Sequence, residues 1–212
     1  MQEITSEPEL RPVNKAADTV AGVIPEIRHR WSPRAYADRD VKLEDLQTLL
    51  EGARWAASCF NEQPWRFIIA RKSDTDAYHK LLDVLVPKNQ QWAQAAPVLL
   101  LTVAKKTFTR NGLPNYHALH DAGLALGNLM TQATAMGLYA HAMGGYDHEK
   151  ARSYFAIPED YDTGAVVAIG YLGDADHLSE EQRKSEQSPR TRKPLDELAF
   201  TAKWGQPYSW SS

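Results

Sequence analysis

Apolar and polar positions along the chain alternate with periods that separate helices from strands. Residues 43–57 carry Leu46, Leu49, Leu50, Ala53 and Ala57 at helical spacing, which predicts an amphipathic helix. Pro25 suits a first helical turn, so a short helix is expected over residues 25–30. A polar loop, residues 58–64, precedes a strand over residues 65–70. Ser73 followed by Asp76 resembles a capping box opening a helix to about residue 86. Residues 97–104, PVLLLTVA, form an almost continuous apolar run, the pattern of a strand buried on both faces. Residues 119–136 predict a long helix rich in Ala122, Gly123, Ala125, Gly127, Ala133 and Ala135, with Gly137 placed to end it. Its small residues permit close helix approach, so it is expected at the centre of the fold or of a dimer. Further strands are expected at residues 139–143 and 165–172, and Asp147 can cap a short helix to residue 155 between them.

Helical and strand segments alternate irregularly, which predicts an α+β fold with a sheet flanked by helices. There is no repeat and no low-complexity linker, so residues 1–212 read as one domain with an N-terminal arm, 1–20, and a tail, 198–212. The tail carries Trp204, Tyr208 and Trp210. Three large rings suit packing on a partner subunit; a loosely ordered end is the alternative.

Composition narrows the function classes. Hydrophobic residues make up 43% and charged residues 24%, ordinary for a soluble globular protein. The formal charge of -3 gives no global attraction to nucleic acid or anionic membrane. The first twelve residues lack the basic and apolar regions of a secretory signal, and the longest apolar run, residues 95–104, is too short for a bilayer. Cys59 is the single cysteine, which excludes an intrachain disulfide and a cysteine-based zinc site and fits a cytoplasmic protein. His117 and His120 stand beside Asp121, but no third ligand accompanies them, so solvated or packed residues are the stronger reading than a metal site.

No GxGxxG, GxxxxGK[ST], GxSxG or HExxH segment is present. Two cation clusters are. Arg28, Arg30 and Arg34 interleave with His29, Trp31 and Ser32; Arg190, Arg192 and Lys193 lie far down the chain. Arginine forks and a hydroxyl match phosphate oxygens, while solvated surface charge is the alternative. In loop 58–64, Ser58 and Asn61 can bond the edge of a polar heterocycle or merely form a turn. Gly144 and Gly145 can admit a flat ligand to the backbone or merely turn the chain.

Taken in order, these segments resemble the nitroreductase family of FMN enzymes over nearly the whole chain, about residues 24–198. RWSPRAY, residues 30–36, is similar to that family's R-x-S-x-[RK]-x-[FY] opening. The resemblance implies that Arg30 and Ser32, with Trp31 between them, hold the FMN phosphate and ribityl chain, and that Arg34 sits by the pyrimidine edge. A cation there favours the reduced flavin. ARWAASCFNEQPWRF, residues 53–67, resembles A-x-x-A-P-S-x-x-N-x-Q-P-W-x-F, a loop that in the family reaches the flavin held mainly by the other subunit. Ser58 and Asn61 match; Ala57 replaces the usual proline. Asn89 matches a family asparagine that bonds the flavin ring, and Trp92 falls where some members carry a lysine. MGGYD, residues 143–147, is similar to the segment whose backbone N–H faces flavin N5, so Gly144 and Gly145 join the cofactor set. Arg190 and Arg192 match the late basic pair that closes on the phosphate.

The resemblance implies a three-layer sandwich with a mostly antiparallel sheet, an intertwined homodimer, and a ping-pong reaction. NAD(P)H gives hydride to flavin N5, and a nitroaromatic, quinone or similar acceptor takes the electrons. No protein side chain need be catalytic. The alternatives are ene-reduction or dehalogenation on the same scaffold, a non-catalytic flavin-binding protein whose N5 face is covered by Trp31, Trp92 or the tail, and an adaptor whose arginines have no ligand.

Overall fold

The computed structural model describes residues 15–210. Four strands, β1 (Trp65–Arg71), β2 (Val98–Lys105), β3 (Tyr139–Met143) and β4 (Tyr161–Gly170), form one antiparallel sheet in the order β1-β2-β4-β3. Helices α1 (Pro25–His29), α2 (Leu43–Arg54), α3 (Thr75–Asp83), α4 (Pro87–Ala93), α5 (Ala118–Ala135), α6 (His148–Tyr154) and α7 (Glu180–Gln187) flank it.

Strand periodicity explains the layers. In β2, Leu99, Leu101 and Val103 face a core shared with Tyr78 and Leu81 of α3, Trp92 of α4 and Ala151 of α6. Val98, Leu100 and Ala104 face the opposite core, built by Leu46, Leu49 and Ala53 of α2 and by Ala122, Ala125, Leu129 and Ala133 of α5. β4 alternates likewise, with Val166 and Ala168 on the first face and Val167 and Ile169 on the second. Helix, sheet and helix form three layers, as the sequence implies, and β2 is buried on both faces. Among the described residues no helix is long and apolar enough to cross a membrane.

Element ends differ from the sequence expectation where local bonds intervene. α2 stops at Arg54, three residues short of Ala57; Trp55 closes it and donates through Nε1 to Glu51 at 2.8 Å. Ser73 does not cap α3. Asp74 takes the N-cap position without a side-chain cap bond, and the Asp76 carboxylate pairs with Lys80 at 2.7 Å. β4 begins at Tyr161 rather than at residue 165 and stops at Gly170. A bulge opposite Leu101 and Val103 marks the extra length, and there Thr102 Oγ1 accepts from the Ala165 N–H at 2.8 Å. Gly137 ends α5 with φ 69°; the Leu138 N–H donates to the Ala133 carbonyl at 2.8 Å and the Gly137 N–H to that of Thr134 at 3.1 Å, a Schellman pattern. Asp147 caps α6 through the Lys150 N–H.

Two helices had no sequence expectation. α4 follows Val86 with Pro87 in its first turn, and α7 is highly polar but opens on a complete capping box between Ser179 and Gln182. In the tail, Phe200 bridges Pro207, Trp204 is 92% exposed, and the Tyr208 and Trp210 rings meet at a tilt, 4.9 Å between centroids. Of the N-terminal arm, residues 1–14 lie outside the described residues.

Candidate functional site

The two arginine clusters converge. Arg190 Nη1 donates to the Arg28 carbonyl at 2.9 Å and to the Lys15 carbonyl at 2.6 Å, which draws the late segment onto the loop that carries Arg30. Burial lowers the pKa of Arg30, and the charges of Arg190 and Arg192 lower it further. Arg190 is shifted down by burial and then by Arg192. Among the described residues, none of these three arginines is in an ion pair with a carboxylate. Arg30 Nη1 donates to Ser32 Oγ at 3.2 Å, which leaves the hydroxyl hydrogen of Ser32 available to another acceptor.

Lys15 is a fourth cation, one the sequence reading missed. It is 8% exposed, donates to the Ser188 carbonyl and lies 5.2 Å from the centroid of the Trp31 ring. Burial lowers its pKa, Glu186 raises it and Arg190 lowers it. A single lysine in a polar N-terminal segment carries no sequence signal. The Trp31 ring is buried and meets Tyr139 edge-on at 6.1 Å, so it is engaged in packing.

Arg34 stands one step away. Its backbone N–H donates to both Glu186 carboxylate oxygens, at 2.9 and 3.1 Å, and the Ala35 N–H adds a third donor at 3.2 Å. The Arg34 guanidinium donates to Ser185 Oγ at 3.2 Å and lies 6.0 Å from the Trp92 ring centroid. Glu186, 4% exposed, thus fastens α7 to the 30–36 loop. α7 also reaches α4, through Gln182 to Gln91 at 3.3 Å and through Lys88 to Glu181 at 2.6 Å.

His141 braces the same loop from below. Its Nδ1–H donates to the Pro33 carbonyl at 2.8 Å, and its ring lies 4.5 Å from that of Trp92. Burial pulls its pKa down to about 4; the bond to Pro33 opposes this, and the Arg34 and Arg30 charges add to it. The imidazole is therefore neutral at pH 7. Trp92 itself is 1% exposed, inside the core.

α4 brings Asn89 to the glycine pair. Asn89 Nδ2 donates to the Gly145 carbonyl at 3.2 Å, and the Val86 N–H donates to the same oxygen at 3.1 Å. A Cβ on Gly145 would come 3.0 Å from Asn89 Nδ2 and 3.2 Å from Val86 Cγ2, whereas one on Gly144 would meet nothing within 4 Å. Gly145 is thus needed for close packing, and Gly144 borders open space.

Loop 58–64 sits elsewhere. Its hydrogen bonds run to α5, where Asp121 Oδ2 accepts from the Cys59 N–H at 2.9 Å, and to Thr109, which donates to Glu62. Ser58 Oγ accepts from the Gln63 N–H at 3.0 Å. Phe60, Asn61 and Gln63 all have positive φ, 53°, 57° and 52°, so a strained loop holds Asn61 in place. Arg110 covers the Phe60 ring at 4.0 Å. Asp121, only 2% exposed, also pairs with His120 at 3.0 Å, so both its oxygens are engaged. Among the described residues no cluster of three His, Cys, Asp or Glu side chains is gathered as for a metal ion.

One chain therefore gathers Lys15, Arg30, Ser32, Arg190 and Arg192 in one group, links that group through α7 to α4, which carries Asn89 against Gly145, and places Ser58 and Asn61 on a separate loop. A model of the nitroreductase family matches residues 27–171. The chain belongs to the nitroreductase family. Among solved structures, this nitroreductase is similar to one described as an oxidoreductase containing FMN, with 33% identity, a TM-score of 0.84, and coverage of 92% of this chain and 98% of that one. It is 33% identical over 148 residues to a 15.4 kDa protein of Mycolicibacterium smegmatis, covering 67% of this chain and 99% of that protein. It is 24% identical over 216 residues to the major NAD(P)H-flavin oxidoreductase of Aliivibrio fischeri, covering 83% and 96%.

Proposed function

We propose that this nitroreductase is an FMN-dependent oxidoreductase, a cytoplasmic homodimer of single-domain subunits that takes hydride from NAD(P)H. One observation carries the reading: Arg30, Arg190 and Arg192 converge from distant parts of the chain, and among the described residues no carboxylate pairs with them. Grouped arginines that lower one another's pKa are stabilised by a dianionic phosphate, whose oxygens match guanidinium forks. The donor set thus fits the phosphate of FMN, and the related FMN-containing oxidoreductase supports that choice over other phosphates.

Arg30, Arg190, Arg192 and Lys15 would hold the phosphate, with the Ser32 hydroxyl as a further donor. Asn89 and Gly145 would meet the edge of the isoalloxazine, and the open space at Gly144 would leave room for a reactant. Arg34 would sit by the pyrimidine end, its charge moderated by Glu186 at 3.9 Å. When bound, FMN supplies the hydride chemistry, accepting from NAD(P)H and giving electrons to an electrophilic acceptor such as a nitroaromatic or quinone. The protein's part is to position the ring, fix the phosphate and exclude water. The burial of Trp31 and Trp92 in packing contacts supports a reaction face left open by both rings.

The homodimer reading rests on exposed apolar surface. α5 presents Leu119, Gly123, Leu124 and Gly127 to the outside, and neither glycine has a neighbour where a Cβ would stand. A second subunit packed there would bring its own loop 58–64, with Ser58 and Asn61, to this subunit's flavin. The exposed rings of Trp204, Tyr208 and Trp210 would also find cover on that subunit.

The visible spectrum of the purified protein tests the reading. Flavin bands that bleach with anaerobic NADPH or NADH and return on adding a nitroaromatic are expected. Absence of bands after soaking in FMN would overturn the cofactor; bands indifferent to both nicotinamides would overturn the donor.

A further inference from the structure

Arg110 stands on an aromatic mount. Its guanidinium lies 4.0 Å from the centroid of the Phe60 ring and 5.4 Å from that of Phe108, and the two rings meet edge-on at 5.9 Å. A short hairpin carries it. Thr107 bridges Pro114, the Phe108 N–H donates to the Leu113 carbonyl at 2.8 Å, and Gly112 turns the chain with φ 70°. Glu62 ties this hairpin to loop 58–64: its Oε1 accepts from the Thr109 N–H at 2.8 Å and from the Thr109 hydroxyl at 2.5 Å.

Neither Phe60 nor Arg110 serves the core. Phe60 is 72% exposed and belongs to neither apolar cluster, and Arg110 is exposed with it. Among the described residues Arg110 is in no ion pair. Stacking uses the flat face of a guanidinium and leaves the N–H groups at its edge for an acceptor. A charge held this way is pre-organised, so less side-chain freedom is lost when an anion binds.

Phe60 stands between Ser58 and Asn61 in the chain. The inference rests on the function proposed above, in which those two residues reach the flavin of the second subunit. Phe60 and Arg110 come with them, so a cation arrives beside a flavin that the other subunit holds. The pair suits an anion joined to a flat apolar body, with the guanidinium edge for the anion and the rings for the body. A dianionic phosphate fits less well. Arg30, Arg190 and Arg192 form a group, whereas Arg110 is one arginine with a carboxylate near it. Burial pushes the Glu62 pKa up, but the Thr109 bonds and the charges of Lys105 and Arg110 outweigh this and hold it below the usual carboxylate range. One cation beside an ionised carboxylate suits a single negative charge. We propose that Arg110, mounted on Phe60, is a specificity-determining residue that favours aromatic electron acceptors bearing a carboxylate.

The test uses the full-length, FMN-loaded protein with 4-nitrobenzoate and the neutral 4-nitrobenzamide as acceptors. Arg110→Gln should lower the ratio of kcat/KM for nitrobenzoate to that for nitrobenzamide at least tenfold, with the change in KM, and Arg110→Lys should restore part of it. A second readout needs no turnover: 4-fluorobenzoate, followed by fluorine NMR on the oxidised protein, should bind at least tenfold more weakly to Arg110→Gln, and salt should weaken it in the unsubstituted protein. An unchanged acceptor ratio, or 4-fluorobenzoate bound equally by both proteins, overturns the inference. So does a rise confined to the KM of the nicotinamide, which would place Arg110 on the donor's phosphates. The flavin spectrum keeps the two readings apart. Flavin that bleaches with NAD(P)H while the acceptor ratio ignores Arg110 overturns this inference alone; flavin that is absent or never bleaches overturns the function and this inference with it.

Discussion

Arg190 donates to the backbone carbonyl of Arg28 at 2.9 Å, across 162 positions of sequence. The bond is to backbone, so it places the arginine without neutralising it. The late segment is strapped onto the loop that leads to Arg30, and the charges of Arg30, Arg190 and Arg192 are held together by neutral contacts. A protein that had only to be stable would gain from a carboxylate here. A buried carboxylate close by, Glu186, is instead spent on the backbone N–H groups of Arg34 and Ala35.

Arg192 is the arginine whose removal should disturb the fold least. It is exposed, and its guanidinium bonds locally, Nη1 donating to the Thr191 carbonyl at 2.7 Å. Arg192→Ala should weaken FMN binding by about 1.5–3 kcal/mol, the worth of a charge-assisted contact, or roughly ten- to a hundredfold. Flavin fluorescence titration measures this, and the salt dependence of binding should flatten with it. Unchanged affinity would remove Arg192 from the phosphate site.

Arg30 should show the opposite effects on stability and binding. Its charged form is disfavoured by burial and by Arg190 and Arg192, so the unliganded fold carries it at a cost. Arg30→Gln should leave the apoprotein at least as heat-stable as the unsubstituted apoprotein while sharply reducing the rise in melting temperature that FMN or inorganic phosphate produces. Thermal scans with and without each ligand decide it. A variant that melts lower without ligand, yet gains as much from phosphate, would show that Arg30 serves the fold alone.

Much of this was legible in the sequence because it depends on local pattern. The apolar run of β2, the small-residue helix α5 and the cap at Asp147 are short-range signals, and each forms close to where its residues imply. The joining of residues 28–34 to 190–192 rested on a family resemblance, since spacing cannot tell a phosphate site from surface charge. What stayed hidden depends on contacts between distant segments. The polar sequence of α7 conceals that Glu186 is buried, Lys15 gains importance only by meeting Arg190 and Glu186, and His141 acts on Pro33 from 108 positions away. β4 was read short because its first residues, Tyr161 to Gly164, are polar or small, and a bulge, not an apolar repeat, sets their pairing. α7 did carry a usable sign, the Ser179 and Gln182 capping box.

His141 should make the fold acid-sensitive in a defined window. Its pKa falls from 6.5 to about 4 on folding. Near pH 7 both states are neutral. Below about 6.5 the unfolded chain takes a proton that the folded one refuses until about 4, so stability is lost as pH falls across that interval. At 1.36 kcal/mol per unit, the full loss is about 3 kcal/mol below pH 4, and about 2 kcal/mol of it falls between pH 7 and 5. His141→Gln can still donate to Pro33 but cannot titrate. It should be less stable at pH 7, through lost contact with Trp92, yet lose about 2 kcal/mol less on going to pH 5. Urea unfolding at the two pH values reads the difference; equal losses in both proteins would show that His141 does not titrate in this range.

The dimer reading can be tested at one glycine. Gly127 lies in the middle of α5, faces outward, and would meet nothing within 4 Å if it carried a Cβ. In an isolated subunit a glycine there only weakens the helix, by about 0.5–1 kcal/mol relative to alanine. It has a reason to be small if another helix lies against it. Gly127→Leu should therefore keep each subunit folded, with helix content intact by circular dichroism, while light scattering reports a fall from dimer to monomer. FMN affinity should fall with it, although residue 127 lies in neither the arginine group nor the Gly144 and Gly145 segment, because loop 58–64 would no longer arrive from the second subunit. A Gly127→Leu protein that remains a dimer would move the interface off this face of α5. A monomer that binds FMN at full affinity would mean that Ser58 and Asn61 contribute nothing across subunits.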